Sequence, residues 1–152
     1  LIPLTEDENS VFISVNFIPE FFTPDFVFCA NAKRLNNIEN AQNIKKIITS
    51  NLIEKTSLKR DFVFSFNNCV YFNEFFCEDS TLMLLKVLSN CGCNVVNMVG
   101  FDGFDRNKQN YFTEKYTMEQ GKTISVQTVK QILSTSLDQL TLNFITPSLY
   151  ED

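Results

Sequence analysis

The chain has 152 residues and a mass of 17.5 kDa, the length of one domain, enough to bury roughly 68–70% of its unfolded surface. Its hydrophobic fraction of 44% and charged fraction of 20% exclude a disordered chain. Thirteen Lys and Arg stand against 18 Asp and Glu (net −5), and His is absent, so the balance of a nucleic-acid binder and the commonest general base and metal ligand are all missing.

Residues 11–16 are short, apolar and β-branched, as in a buried strand. Pro19 and Pro24 break the chain after it, and residues 25–30 form a second such run, ending at Asn31. Between 33 and 45, Leu35, Ile38, Ala41 and Ile44 recur every third residue, which predicts a short amphipathic helix. Residues 46–50 and 61–66 are the third and fourth strands. Asp79 or Ser80 caps a helix rich in leucine that Gly92 ends, and residues 94–99 follow as a fifth strand. A long polar and aromatic loop spans 106–121, with Tyr111 and Tyr116 as candidates to cover a ligand. A helix over 123–139 and a last strand over 141–145 close the order. No internal repeat stands out. No apolar run reaches the about 18 residues that a membrane span requires.

Strands alternating with helix-period segments predict one α/β domain over 1–152: a three-layer, Rossmann-like fold with a mainly parallel sheet flanked by helices. Such sheets bind ligands beyond the carboxyl ends of their strands, at the switch in strand order. Several strands end there in amides or small polar residues. Asn16 and Asn31 can read a base or sugar edge. Lys33 and Arg34 stand ready for a phosphate or carboxylate. Ser80 and Asp102 complete the candidate ligand-binding set with Asp105, which lies three residues from Asp102 in the Gly100-Phe-Asp-Gly-Phe-Asp105 turn. No metal site is expected, and no catalytic residue is assigned. The five cysteines (Cys29, Cys69, Cys77, Cys91 and Cys93) are odd in number and irregularly spaced, so they are expected as reduced packing residues of a cytoplasmic protein. The chain begins at Leu1, which reads as the C-terminal part of a longer protein.

Two resemblances follow from particular motifs. The strand ends at Asn16 and Asn31, the unit from Glu78 to Asp102 and the Phe144-Ile-Thr-Pro147-Ser148 turn resemble the nucleotide-binding half of bacterial sialyltransferase-like Rossmann folds. That family's catalytic His and Gly-rich loop have no counterpart here. The second resemblance covers nearly the whole chain. Ser14-Val-Asn-Phe-Ile-Pro19, Asp25-Phe-Val-Phe28, Asn31-Ala-Lys-Arg34, Gly100-Phe-Asp-Gly-Phe104 and Phe144-Ile-Thr-Pro-Ser-Leu-Tyr150 are similar to the C-terminal domain of bacterial proteins similar to 4-hydroxy-2-oxovalerate aldolase. There an HMG-CoA-lyase-like barrel comes first. The resemblance implies an accessory or ligand-binding domain of an aldolase (a lyase). Its partner is then the N-terminal barrel of the same protein, and any divalent metal lies in that barrel, with no cofactor in this domain. A nucleotide or small-molecule ligand and a second copy of the chain are the other partners considered, with no nucleic acid and no membrane. The alternative function is a nucleotide-sugar-dependent glycosyltransferase-like domain, and the third is a module that only docks.

Overall fold

A computed structural model describes residues 10–39, 41, 43–72, 76–103 and 124–151. The chain divides between Val87 and Leu88 into two compact units. In the first unit, β1 (Ile13–Val15), β2 (Phe26–Cys29), β3 (Lys45–Thr49) and β4 (Phe62–Phe64) form one parallel sheet in the order β1-β2-β3-β4. Two 3-10 helices, Ala32–Asn37 and Ser50–Lys55, lie in the second and third connections. A short helix α1 (Phe66–Cys69) leads to an antiparallel pair, β5 (Tyr71–Phe72) and β6 (Phe76–Cys77), and then to α2 (Ser80–Asn90), which runs across the division. In the second unit, β7 (Val95–Met98) and β8 (Thr141–Phe144) pair in parallel, and α3 (Val126–Ser136) lies between them in the chain. The class is α/β, with a parallel sheet flanked by helices and a Rossmann-like alternation of strands and crossovers. No helix among the described residues is long and apolar enough to cross a membrane.

Side chains alternate along the strands, so Val27, Cys29 and Ile48 share one face. They form a buried cluster with Leu35, Ile38, Ala41, Ile44 and Leu52 from the crossovers. The stripe expected over 33–45 is therefore real, but its helix is not α-helical. A spacing of three is the period of a 3-10 helix, and such helices stay short. Here it stops at Asn37, and the stripe runs on through turns. The other face is also sealed at its centre, where Phe28 and Ile47 are buried, as a parallel sheet requires. Lys46 shares the core side and is buried as well. Its ammonium donates to the carbonyl oxygens of Ala41 and Ile44, which satisfies the charge in place.

Two sequence expectations need correction. The sheet order never reverses, so the described strands hold no switch point of the kind that opens a ligand crevice in a doubly wound sheet. And a repeat does exist. Asp25-Phe-Val-Phe28 recurs as Asp61-Phe-Val-Phe64. The Oδ2 of Asp25 accepts the N–H of Phe12, just before β1, and the Oδ2 of Asp61 accepts the N–H of Lys46 in β3, both at 2.8 Å. Each carboxylate thus ties the start of its own strand to the strand before it. The structural order of turns, strand then crossover then strand, is that of a one-dimensional coil.

Asp79 caps α2. Its Oδ1 accepts from Thr81 N–H at 2.9 Å and Leu82 N–H at 3.1 Å. Burial dominates its titration and raises its carboxyl above the ordinary 3.8, while the two backbone N–H groups pull the other way. A raised carboxyl binds its proton more tightly folded than unfolded. The native chain is then most favoured below the ordinary carboxylate range and loses stability as pH rises through the raised value. Asn keeps the capping oxygen without the charge. Asp79→Asn is expected to unfold at a higher temperature than the native chain near neutral pH, the gap closing as pH falls below about 4, whereas Asp79→Ala costs about 1 kcal/mol. Thermal unfolding across pH checks this; an Asn variant weaker at every pH would show the charge itself to be stabilising.

Candidate functional site

The expected rim exists in the first unit, where Asn16, Asn31 and Asn51 follow β1, β2 and β3 at their carboxyl ends. Its amides, however, are largely spent on the chain itself. Asn16 adopts a left-handed backbone (φ 66), which Asn tolerates better than most residues. Its N–H donates to Phe28 O at 2.8 Å, and its carbonyl accepts from the Asn37 amide at 3.3 Å. Asn31 is the N-cap of the first 3-10 helix: its Oδ1 accepts the Lys33 N–H at 3.0 Å, and its carbonyl accepts the Arg34 N–H at 3.0 Å. The Asn51 amide donates to Ala30 O at 3.4 Å, and its Oδ1 accepts from Thr49 Oγ1 at 2.6 Å. Asn37 and Asn51 thus do the same task one crossover apart: Asn37, after β2, bonds the carbonyl that follows β1, and Asn51, after β3, bonds the carbonyl that follows β2. Neither carried a distinctive signal in the sequence beyond its residue type.

Two oxygens in this region stay unspent. Ser14 Oγ and Asn16 Oδ1 are buried without a hydrogen-bond partner among the described residues. Lys33 is exposed and Arg34 half-buried. Burial raises the Cys29 thiol, against which the Asn31 backbone and the Arg34 charge act. Ser80 is buried at the first position of α2.

In the second unit, Asp102 follows β7 as expected. Its Oδ1 accepts from Thr146 Oγ1 at 3.2 Å, and that hydroxyl in turn accepts the Gly100 N–H at 2.9 Å. Ser148 Oγ donates to Phe101 O at 2.6 Å, Leu149 N–H donates to Asp102 O at 2.8 Å, and the rings of Phe101 and Tyr150 lie 4.6 Å apart. The two motifs prominent in the sequence, Gly100-Phe-Asp-Gly103 and Thr146-Pro-Ser-Leu-Tyr150, are therefore each other's partners. Asp105, Tyr111 and Tyr116 lie outside the described residues. An exposed amide pair, Asn143 Nδ2 to Asn97 Oδ1 at 2.9 Å, joins β8 to β7.

Comparison with protein-family models, characterised proteins and solved structures finds no match for this chain. The chemistry must be judged from the residues. Among the described residues no group of three or more Cys, Asp or Glu is placed to hold a metal ion. Among the described residues, a cluster of titratable groups surrounds Tyr71. Burial pushes its phenol far up, with Cys77 and Cys69 adding to the effect, and its hydroxyl donates to Leu82 O at 3.4 Å. Lys86 Nζ lies 4.7 Å from the Tyr71 ring centre and donates to Val70 O at 2.7 Å. Burial also raises the thiols of Cys69 and Cys77. Groups shifted this way hold their protons at neutral pH and are inert as nucleophiles. Cys29, Cys69 and Cys77 are thus packing residues, as expected. Cys91 is exposed and Cys93 half-buried instead, because they flank Gly92 in the turn that ends α2.

Proposed function

We propose that this chain is an accessory binding module with no catalytic centre of its own, serving a macromolecular partner rather than a small substrate. One observation carries the reading: the polar groups at the strand ends are mostly engaged within the chain, Asn31 in capping, Asn51 in bridging strands and Asp102 in holding Thr146. The order of the described four-stranded sheet, which shows no reversal, supports it, since a reversal is what opens a crevice between diverging crossovers. The similarity of the chain's motifs to the domain that follows an aldolase-like barrel supports an accessory role and names one host, whose barrel would hold the catalytic residues and the metal.

The test is calorimetric titration of the chain with CMP, UMP, coenzyme A and adenine nucleotides. No binding heat is expected from any of them. Asn31→Ala should cost about 1 kcal/mol of stability through the lost cap. Asn16→Ala removes one of the two unspent oxygens, and it too should leave the titrations silent. A nucleotide that binds the native chain and loses affinity in Asn16→Ala or Asn31→Ala, with folding intact, would overturn the reading.

A further inference from the structure

Among the described strands the four-stranded sheet ends on β4, and both of its faces are partly open there: Phe62 is 48% and Val63 43% exposed, and these neighbours point to opposite faces. The Lys45 N–H donates to Asp25 O, toward β2. In a parallel ladder alternate residues turn to opposite neighbours, so Lys46 and Ile48 turn to β4, and Phe62 and Phe64 turn back to β3. The N–H and C=O of Val63 then point off the sheet, where none of the described strands pairs with them. An edge of this kind is a template for another strand.

Its charge is unlike that of the rest of the chain. Five of the 13 cations but only two of the 18 acids fall between residues 45 and 64. Lys45, Lys55, Lys59 and Arg60 are exposed, and among the described residues none of them forms an ion pair. One of the two acids, Asp61, is committed to the Lys46 N–H. Lys45 of β3 lies 5.3 Å from the Phe26 ring of β2, which meets the Phe62 ring of β4 at 6.0 Å, so cation and apolar surface adjoin on the sheet face that reaches the edge at Phe62.

We infer that β4 is the docking edge for an extended acidic segment of a partner protein, which adds a strand to the sheet through Val63 and meets Lys59 and Arg60 with its carboxylates. A second copy of the chain is disfavoured as occupant, because two such edges bring like charges together. This inference rests on the binding-module reading and narrows it; its failure alone would leave that reading standing, since small ligands are tested separately.

The experiment is fluorescence anisotropy of the full chain with a labelled octapeptide of alternating valine and glutamate, against its valine–lysine counterpart. The acidic peptide should bind about tenfold tighter or better, and added salt should weaken it. Methylating the backbone nitrogens on one edge of the peptide should abolish binding whatever the behaviour of protein variants, since it blocks only strand pairing. Lys59→Glu with Arg60→Glu should cost about tenfold. Equal affinity for the two peptides, binding indifferent to N-methylation, or a single-stranded oligonucleotide that displaces the acidic peptide would each overturn the inference.

Discussion

Ile38→Ala is expected to destabilise the first unit by about 2–5 kcal/mol. Ile38 is 0% exposed although it sits in a turn, just after a 3-10 helix, where exposed polar residues are the rule. Its N–H donates to Leu35 O at 3.0 Å, so the backbone holds the side chain inward. There it joins Val27, Cys29 and Ile48 from the sheet and Leu35, Ala41, Ile44 and Leu52 from the crossovers. Truncation to Ala removes buried methylene and methyl groups and leaves a void, which a short crossover pinned at both ends cannot close. Glu39 is exposed next to it, and Glu39→Ala should stay within about 0.5 kcal/mol. Urea denaturation followed by far-UV circular dichroism compares the two. If both variants match the native chain, the crossovers are not part of the core.

Gly103→Ala should be the most damaging replacement among the described glycines of the second unit, at about 2 kcal/mol or more. Gly103 has φ +94, outside the range that L side chains adopt comfortably, and an added Cβ would come within 2.8 Å of Leu149 Cβ. That Cβ is fixed to the backbone and cannot swing away, and Leu149 N–H is itself bonded to Asp102 O. The clash therefore strikes the contact between the turn after β7 and the segment after β8. Gly92 separates conformation from crowding. It has φ +81 with nothing within 4 Å of where an alanine methyl would stand, and it closes α2 through Gly92 N–H to Ser89 O and Cys93 N–H to Leu88 O. Gly92→Ala should cost only the backbone strain, about 1 kcal/mol. Thermal midpoints of the two variants decide; equal losses would mean that the Leu149 contact is not tight.

Much of the architecture was legible because buried parallel strands announce themselves. The expected runs at 25–30, 94–99 and 141–145 each contain an observed strand, and the run at 46–50 overlaps β3, which begins one residue earlier at Lys45. The helix at 80 was legible from its cap and apolar spacing, and Asp79 does cap it; the helix at 126 was legible from apolar spacing alone, and its cap proves to be Ser125. The hairpin of β5 and β6 was not, because two-residue strands carry no alternation to read and no Asn-Gly or Asp-Gly pair marks the turn. The repeated Asp-Phe-Val-Phe went unrecognised for a different reason. The strand between the two copies opens with Lys45-Lys46, so the carboxylate that would mark a regular period is missing at that turn.

The candidate site was legible in place but not in role. Asn31 and Asp102 stand at strand ends as their positions suggested. A polar residue after a strand looks the same in sequence whether it awaits a ligand or satisfies the neighbouring backbone. Only the distances from Asn31 Oδ1 to Lys33 N and from Asp102 Oδ1 to Thr146 Oγ1 tell these apart.

Because each strand from β1 to β4 pairs with its successor in the chain, no pairing in that sheet spans more than one crossover. Assembly can proceed stepwise from either end without a distant search, which favours rapid folding for a parallel topology. The same arrangement lets a gene insert or delete a whole turn while every other pairing keeps its register, so length is the property of this sheet most open to evolutionary change.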